Sequence, residues 1–287
     1  MNYTADVKKD FGAKGDGIAD DFAALQAALD SLKTTGGTIY FPSGTYLISE
    51  CLVFYSNQTL DFEDGAILKR KALYRTFDPE ELRYLLASYT ENNDDYTDYK
   101  GTHDVVIRGC IFDANSRLKK GNKITMLNTC HCRNITVTGC TFLHCAEWHC
   151  IEFNATADSV IENCVFYGNT YTSHGRKTEL VQLDAAIFGN YGPVFYPDGS
   201  EMEFYSDEKE CENITIRNNK FICDSFAAIG CHADYPHHGV DIYGNEFVGN
   251  PGYRGYITFM SRSYDINIHD NTFDELYADA VTLTPDE

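Results

Sequence analysis

Two short segments concentrate the groups able to move protons. In TELVQLDAA, residues 178–186, Val181 and Leu183 alternate with Gln182 and Asp184, and Glu179 leads in. In IEFN, residues 151–154, Ile151 and Phe153 alternate with Glu152 and Asn154. Alternation with period two marks a half-buried strand, so each segment presents a carboxylate and an amide on one face. Paired carboxylates serve acid–base chemistry, one giving a proton and the other taking it. Side-chain amides both donate and accept, which suits them to hydroxyl groups. The surrounding sequence adds His174, Arg176 and Lys177 before Glu179, and Tyr196 after Asp184. Further along come His232, Tyr235, His237, His238 and Arg254.

What positions these strands is a repeat. DVVIRGCIF starts at Asp104, NITVTGCTF at Asn134, DSVIENCVF at Asp158, NITIRNNKF at Asn213, GVDIYGNEF at Gly239 and DINIHDNTF at Asp265. Each carries Cys or Asn two residues before a Phe, at Cys110, Cys140, Cys164, Asn219, Asn245 and Asn271. The steps between these positions are 30, 24, 55, 26 and 26 residues, and all but the doubled one fall in the range of solenoid repeats. A second strand follows each Phe: IEFN, VQLD, IGCH, ITFM and VTLT. Two strands per repeat with no helix between them predict a chain that coils and pairs each strand in parallel with its copy in the next coil. The Phe residues would stack into an inner ladder. The Asn side chains would cap turn amides, with Cys filling the equivalent spaces. The expected fold is all-β, a single-stranded right-handed parallel β-helix in one domain over residues 1–287. Loop insertions are expected at about 73–103 and 185–211. The stretch DPEELRYLLASY reads as a short helix capped by Asp78.

Residues 1–37 supply a cap for the solenoid. DDFAALQAALDSLKTTGG reads as an amphipathic helix with Asp20 or Asp21 at its N-cap, Phe22, Leu25, Leu29 and Leu32 on one face, and Gly36 and Gly37 ending it. The opening DFGAKGDGIADDFAALQAAL…GGTIYFPSGTYLI resembles that of the pectate-lyase-like superfamily, which includes polygalacturonase-type hydrolases, pectate lyases, epimerases and phage tailspikes. The resemblance implies the same β-helix and work on carbohydrate. The polygalacturonase motifs NTD, GHG, RIK and a later-strand DD are missing, so no residue role carries over from that group.

Composition narrows the partners. A formal charge of −20 argues against nucleic acid and anionic membranes, and no apolar run is long enough to span a bilayer. Eleven cysteines in no compact disulfide pattern read as buried thiols of a cytoplasmic protein; the alternative is a secreted protein without its leader. A homo-oligomer is compatible with the sequence.

In the aligned second strands, Glu152, Gln182, Gly230, Thr258 and Thr282 form one outward column, and Asn154, Asp184, His232, Met260 and Thr284 the next. Coil spacing and strand rise put the Cβ atoms of Glu152 and Asp184 roughly 8 Å apart. That separation fits a carboxyl pair acting on a glycosidic bond. The sequence therefore points to a poly- or oligosaccharide hydrolase, with Asp184, Glu152, Glu179 and His232 catalytic. Gln182, Asn154, Arg176, Lys177, His174, Tyr196, Tyr235, His237, His238 and Arg254 would bind substrate. No cofactor or metal is expected, with calcium reserved for the alternative of a uronate lyase or epimerase. A non-catalytic glycan-binding solenoid is the third reading. An outward Asp184 predicts that Asp184→Asn leaves folding nearly unchanged.

Overall fold

The first residue of every repeat copy turns a corner. Asp104, Asn134, Asp158, Asn213, Gly239 and Asp265 all have φ between 50° and 64°, the left-handed region that Gly, Asn and Asp enter at least cost. A second corner closes each strand at Gly109, Gly139, Asn163, Asn218, Gly244 and Asp270, with φ between 52° and 76°. These paired corners explain why the repeat keeps Asn, Asp or Gly at both places. In the computed structural model, which describes residues 4–71, 84–115, 124–145, 148–168, 179–187, 206–224, 227–231, 234–250, 255–274 and 280–284, they wind the chain into a right-handed parallel β-helix.

Each coil contains three strands, rather than the two that the sequence suggests, because the Phe of each copy sits on a short strand of its own. Three parallel stacks result, and each sends one apolar column inward. In the first stack Leu52, Leu86, Leu127, Ile151, Val181, Ile229, Ile257 and Val281 lie in register. In the second, Ile39, Leu60, Ile107, Val137, Ile161, Ile216, Ile242 and Ile268 do so. The third carries the aromatic ladder from Phe112 to Phe273, with successive ring centroids 4.6 to 5.1 Å apart and rings within 9° of parallel. The coil spacing dictates that face-to-face geometry.

The Asn ladder works through hydrogen bonds. Asn219, Asn245 and Asn271 each accept from the backbone N–H one coil back, at Cys164, Asn219 and Asn245, all at 2.9 Å. Their amide nitrogens donate to the carbonyls of Ile161, Ile216 and Ile242. Cys164 takes the same place more weakly, its sulfur accepting from Cys140 N–H at 3.4 Å. All eleven cysteines are free thiols.

The doubled step resolves here as well. Phe166 stacks directly on Phe221 and strand 157–162 pairs with Glu212–Arg217, so no rung of the ladder intervenes. Glu179–Asp184 and Glu212–Arg217, which pair with successive parts of strand Ile151–Glu162, thus belong to one coil.

The cap helix spans Phe22–Ser31, with Leu25 and Leu29 fully buried. Asp21 holds the N-cap position, yet its carboxylate accepts from the Lys14 and Gly15 N–H groups instead, and Asp20 accepts from Phe22 N–H. One expectation fails: Tyr84–Ser88, read as the end of a helix and inside an expected insertion, is a strand of the first stack paired to Leu52–Phe54 and to residues 125–128. Parallel pairing on both edges and burial of all five residues outweigh the local helical signal, since propensity is a weak prior against tertiary packing. Asp78 and its neighbours lie outside the described residues.

Candidate functional site

The first stack builds the site. Its inward column, Leu127, Ile151, Val181 and Ile229, forces the intervening residues onto the outer face. The register there reads Asn128, Glu152, Gln182, Gly230 and Thr258 across successive coils. One step along, Cys130, Asn154 and Asp184 are aligned. Glu152 and Asp184 are thus diagonal neighbours on adjacent coils.

These outer residues are not washed by solvent. Glu152 keeps 6% of its surface exposed, and Asp184, Glu179, Asn154 and Asn128 keep none. The expectation that substituting Asp184 touches no packed contact is therefore corrected, because it is enclosed and hydrogen-bonded. Both of its oxygens accept, as a carboxylate's do: Oδ2 from Gln182 Nε2 at 2.5 Å and Oδ1 from Ala185 N–H at 2.8 Å. Glu152 Oε2 accepts from the Thr125 hydroxyl at 3.0 Å.

Glu179 starts its strand, where alternation alone would turn it inward. Its Cγ lies beside Gly230, 3.4 Å from where a Cβ on that glycine would stand, and Gly230 pairs with Gln182 in the outer row. His149, which the sequence reading passed over, fixes this strand start through a 2.6 Å contact between Nδ1 and the Glu179 carbonyl.

The remaining candidates divide. His237 is fully buried behind the row, its Nδ1 accepting from Cys211 N–H at 3.1 Å, while the Cys211 thiol donates to the Asp184 carbonyl at 3.3 Å. Burial above all, then the neighbouring His238, pushes its pKa down to about 4, against an opposing pull from Asp234. His238 belongs to the second stack, paired with Glu212 and stacked on Tyr264 at 4.7 Å, so it does not join the carboxylates. Tyr235 is half-buried, and burial raises its hydroxyl pKa. His174, Arg176, Lys177, Tyr196, His232 and Arg254 lie outside the described residues.

Among the described residues, Glu210, Glu212 and His238 bring potential metal-ligand atoms within 4.8 Å of one another. Lys209 already lies 3.4 Å from Glu210, and the trio sits on the second stack, apart from the carboxylate row. Asn128 is the residue that sequence reasoning missed. It lies 24 residues before Glu152, the same step that separates Cys140 from Cys164.

The profile of the rhamnogalacturonase A/epimerase, pectate lyase-like group matches residues 5–223, well over half of the chain. The chain belongs to this family. Family membership brings the pectate-lyase-like β-helix and a carbohydrate-active kinship. Among its relatives, the plasmin and fibronectin-binding protein A of Streptococcus pneumoniae is 25% identical over 230 residues, covering 76% of this chain and 31% of that protein. Mannuronan C5-epimerase AlgE1 of Azotobacter vinelandii is 49% identical over 65 residues, 20% of this chain and 4% of the epimerase. The chain thus spans under a third of either relative. In fold it is similar to the crystal structure of the pneumococcal surface adhesin PfbA, with a TM-score of 0.76 at 23% identity, covering 94% of this chain and 62% of that one. It is also similar to the family 28 exopolygalacturonase of Yersinia enterocolitica, with a TM-score of 0.65 at 16% identity over 95% and 54% of the two chains. No helix among the described residues is long and apolar enough to cross a membrane.

Proposed function

We propose that this chain cleaves glycosidic bonds of a poly- or oligosaccharide by acid–base hydrolysis on the outer face of the first stack. One observation carries the reading: Glu152 and Asp184 are diagonal neighbours on adjacent coils, interleaved with Gln182 and Asn154, with Glu179 at the start of the Asp184 strand. In hydrolysis one carboxyl group protonates the glycosidic oxygen as the bond to the anomeric carbon breaks. A second carboxylate takes a proton from the water that attacks that carbon, unless it attacks the carbon itself. Asp184, whose two oxygens both accept hydrogen bonds, suits the second role, and Glu152 or Glu179 the first. Gln182 orients Asp184.

A second reading is favoured by the match to a plasmin and fibronectin-binding protein over 76% of the chain: a binding module without turnover. The experiment is a screen of neutral and uronic polysaccharides, read for new reducing ends, for the ultraviolet absorbance of an unsaturated uronate, and for binding. Hydrolysis yields reducing ends without the absorbance and is abolished in Glu152→Gln and Asp184→Asn. Unsaturated product would replace hydrolysis by elimination. Binding without product would make the chain a binding module.

A further inference from the structure

At the coil before Glu152, the row begins with an amide that the fold leaves unused. Asn128 pairs with Glu152 in register, next to inward Leu127, so it faces the same side as the carboxylates. It has no exposed surface, and neither its Nδ2 nor its Oδ1 finds a hydrogen-bond partner among the described residues. A buried amide in that condition keeps the full desolvation penalty of its polar groups, and native structures rarely keep one without a use. Asn154, diagonal to Asn128 across the same pair of strands, is half-used. Its Nδ2 donates to the Thr129 carbonyl at 3.2 Å, while Oδ1 has no partner among the described residues.

We propose that Asn128 and Asn154 form a subsite for adjacent hydroxyl groups of a neutral sugar unit, one that discriminates against uronates. The assignment rests on the carbohydrate reading above. The two amides offer three N–H donors, two on Asn128 Nδ2 and the second hydrogen of Asn154 Nδ2, and two acceptors, the Oδ1 atoms. A hydroxyl both donates and accepts, so two neighbouring hydroxyls satisfy both ends of the Asn128 amide and reach Asn154 Oδ1. A uronate carboxylate only accepts. It would accept from the N–H groups but leave both Oδ1 atoms without a donor, and it would stand beside Glu152 and within the field of Glu179 and Asp184. Sites built to bond a hydroxyl reject analogues that leave their polar groups unpaired.

The test titrates the intact chain calorimetrically with two probe series: neutral gluco-, xylo-, galacto- and manno-oligosaccharides, and oligogalacturonate and oligomannuronate. At least one neutral series should bind, with uronates about tenfold weaker or worse. Asn128→Leu, which removes both polar atoms at nearly constant volume, should lose about tenfold or more in that affinity with an equal or higher melting temperature. Should Asn128→Leu fail to fold, Asn128→Ala carries the same comparison. Preference for uronates by the unmutated chain overturns the hydroxyl assignment alone. Retained affinity in the Asn128 variant removes Asn128 from the subsite, and retained affinity with a lowered melting temperature makes its amide structural. Failure of every glycan to bind or turn over sinks the carbohydrate reading itself.

Discussion

Gln182 Nε2 donates to Asp184 Oδ2 across 2.5 Å, joining two side chains that share one face of one strand. With Ala185 N–H on the other oxygen, the carboxylate is held in a single orientation above the strand. Gln182 itself lies opposite Glu152 on the preceding coil, so its backbone position stands between the two carboxylates that the proposed chemistry needs.

Asp184→Asn should separate stability from turnover. The new NH2 group would meet a donor at either position, Gln182 Nε2 or Ala185 N–H. A loss of about 1–3 kcal/mol in urea unfolding is expected, while the variant remains folded by circular dichroism. Turnover on the identified glycan should fall by about 10²–10⁴-fold, because an amide cannot exchange the proton. Gln182→Ala should lose less, since it frees the carboxylate without removing it. Undiminished turnover in Asp184→Asn would move the chemistry to Glu152 and Glu179.

The register of this site was legible in the sequence because each coil prints the same marks. Left-handed corners demand Asn, Asp or Gly, and the Cys/Asn–x–Phe turn fixes the alignment to the residue, so Glu152 fell opposite Gln182 and Asn154 opposite Asp184. Asn128 escaped because its strand, TMLNTC, has Thr129 where the aligned strands carry inward Phe153 and Leu183, so the apolar alternation breaks off after Leu127. Tyr84–Ser88 escaped because its neighbours in sequence favour a helix, whereas its partners lie 34 and 41 residues away. Burial of the outer row could not be read at all, because alternation tells which side of a strand a residue occupies and nothing about what covers that side. Glu179 shows the same limit: alternation assigns it inward, whereas its Cγ lies beside Gly230 of the outer row.

Gly230→Ala should damage that arrangement. The added Cβ would stand 2.3 Å from the Thr258 carbonyl oxygen, a backbone atom, and 3.4 Å from Glu179 Cγ. Since backbone must move, about 1–3 kcal/mol or more of stability should be lost, with turnover reduced beyond what the melting temperature explains. A variant as stable as the parent would mean that the Gly230 and Thr258 coils sit further apart than described.

Phe166→Ala tests the ladder at its centre. The ring is fully buried and stacked on Phe142 and Phe221 at 4.8 and 4.6 Å. Truncation should cost about 3–5 kcal/mol. A loss under about 1 kcal/mol in equilibrium urea unfolding would contradict a continuous column through the doubled repeat step.

His237 makes the fold sensitive to acid in a defined window. Nδ1 accepts from Cys211 N–H, which places the proton of the neutral ring on Nε2, and charging the ring would break that bond inside a fully buried site. Its pKa is about 4 when folded, against an ordinary 6.5. The sign follows directly: the unfolded chain takes up this proton as pH falls below about 6.5, while the folded chain resists until about 4. The contribution is therefore complete above about pH 6.5, declines between about 6.5 and 4, and changes no further below that. The full difference corresponds to about 3 kcal/mol. His237→Asn keeps an acceptor for Cys211 N–H in its Oδ1 and cannot titrate, so its urea unfolding curve should lose less stability between about pH 7 and 4.5 than the parent's. Carboxylates that titrate in the same range affect both chains alike, so the difference between them isolates the ring. Parallel losses in the two chains would show that His237 takes up its proton with the rest of the surface and that no buried neutral imidazole stands behind Asp184.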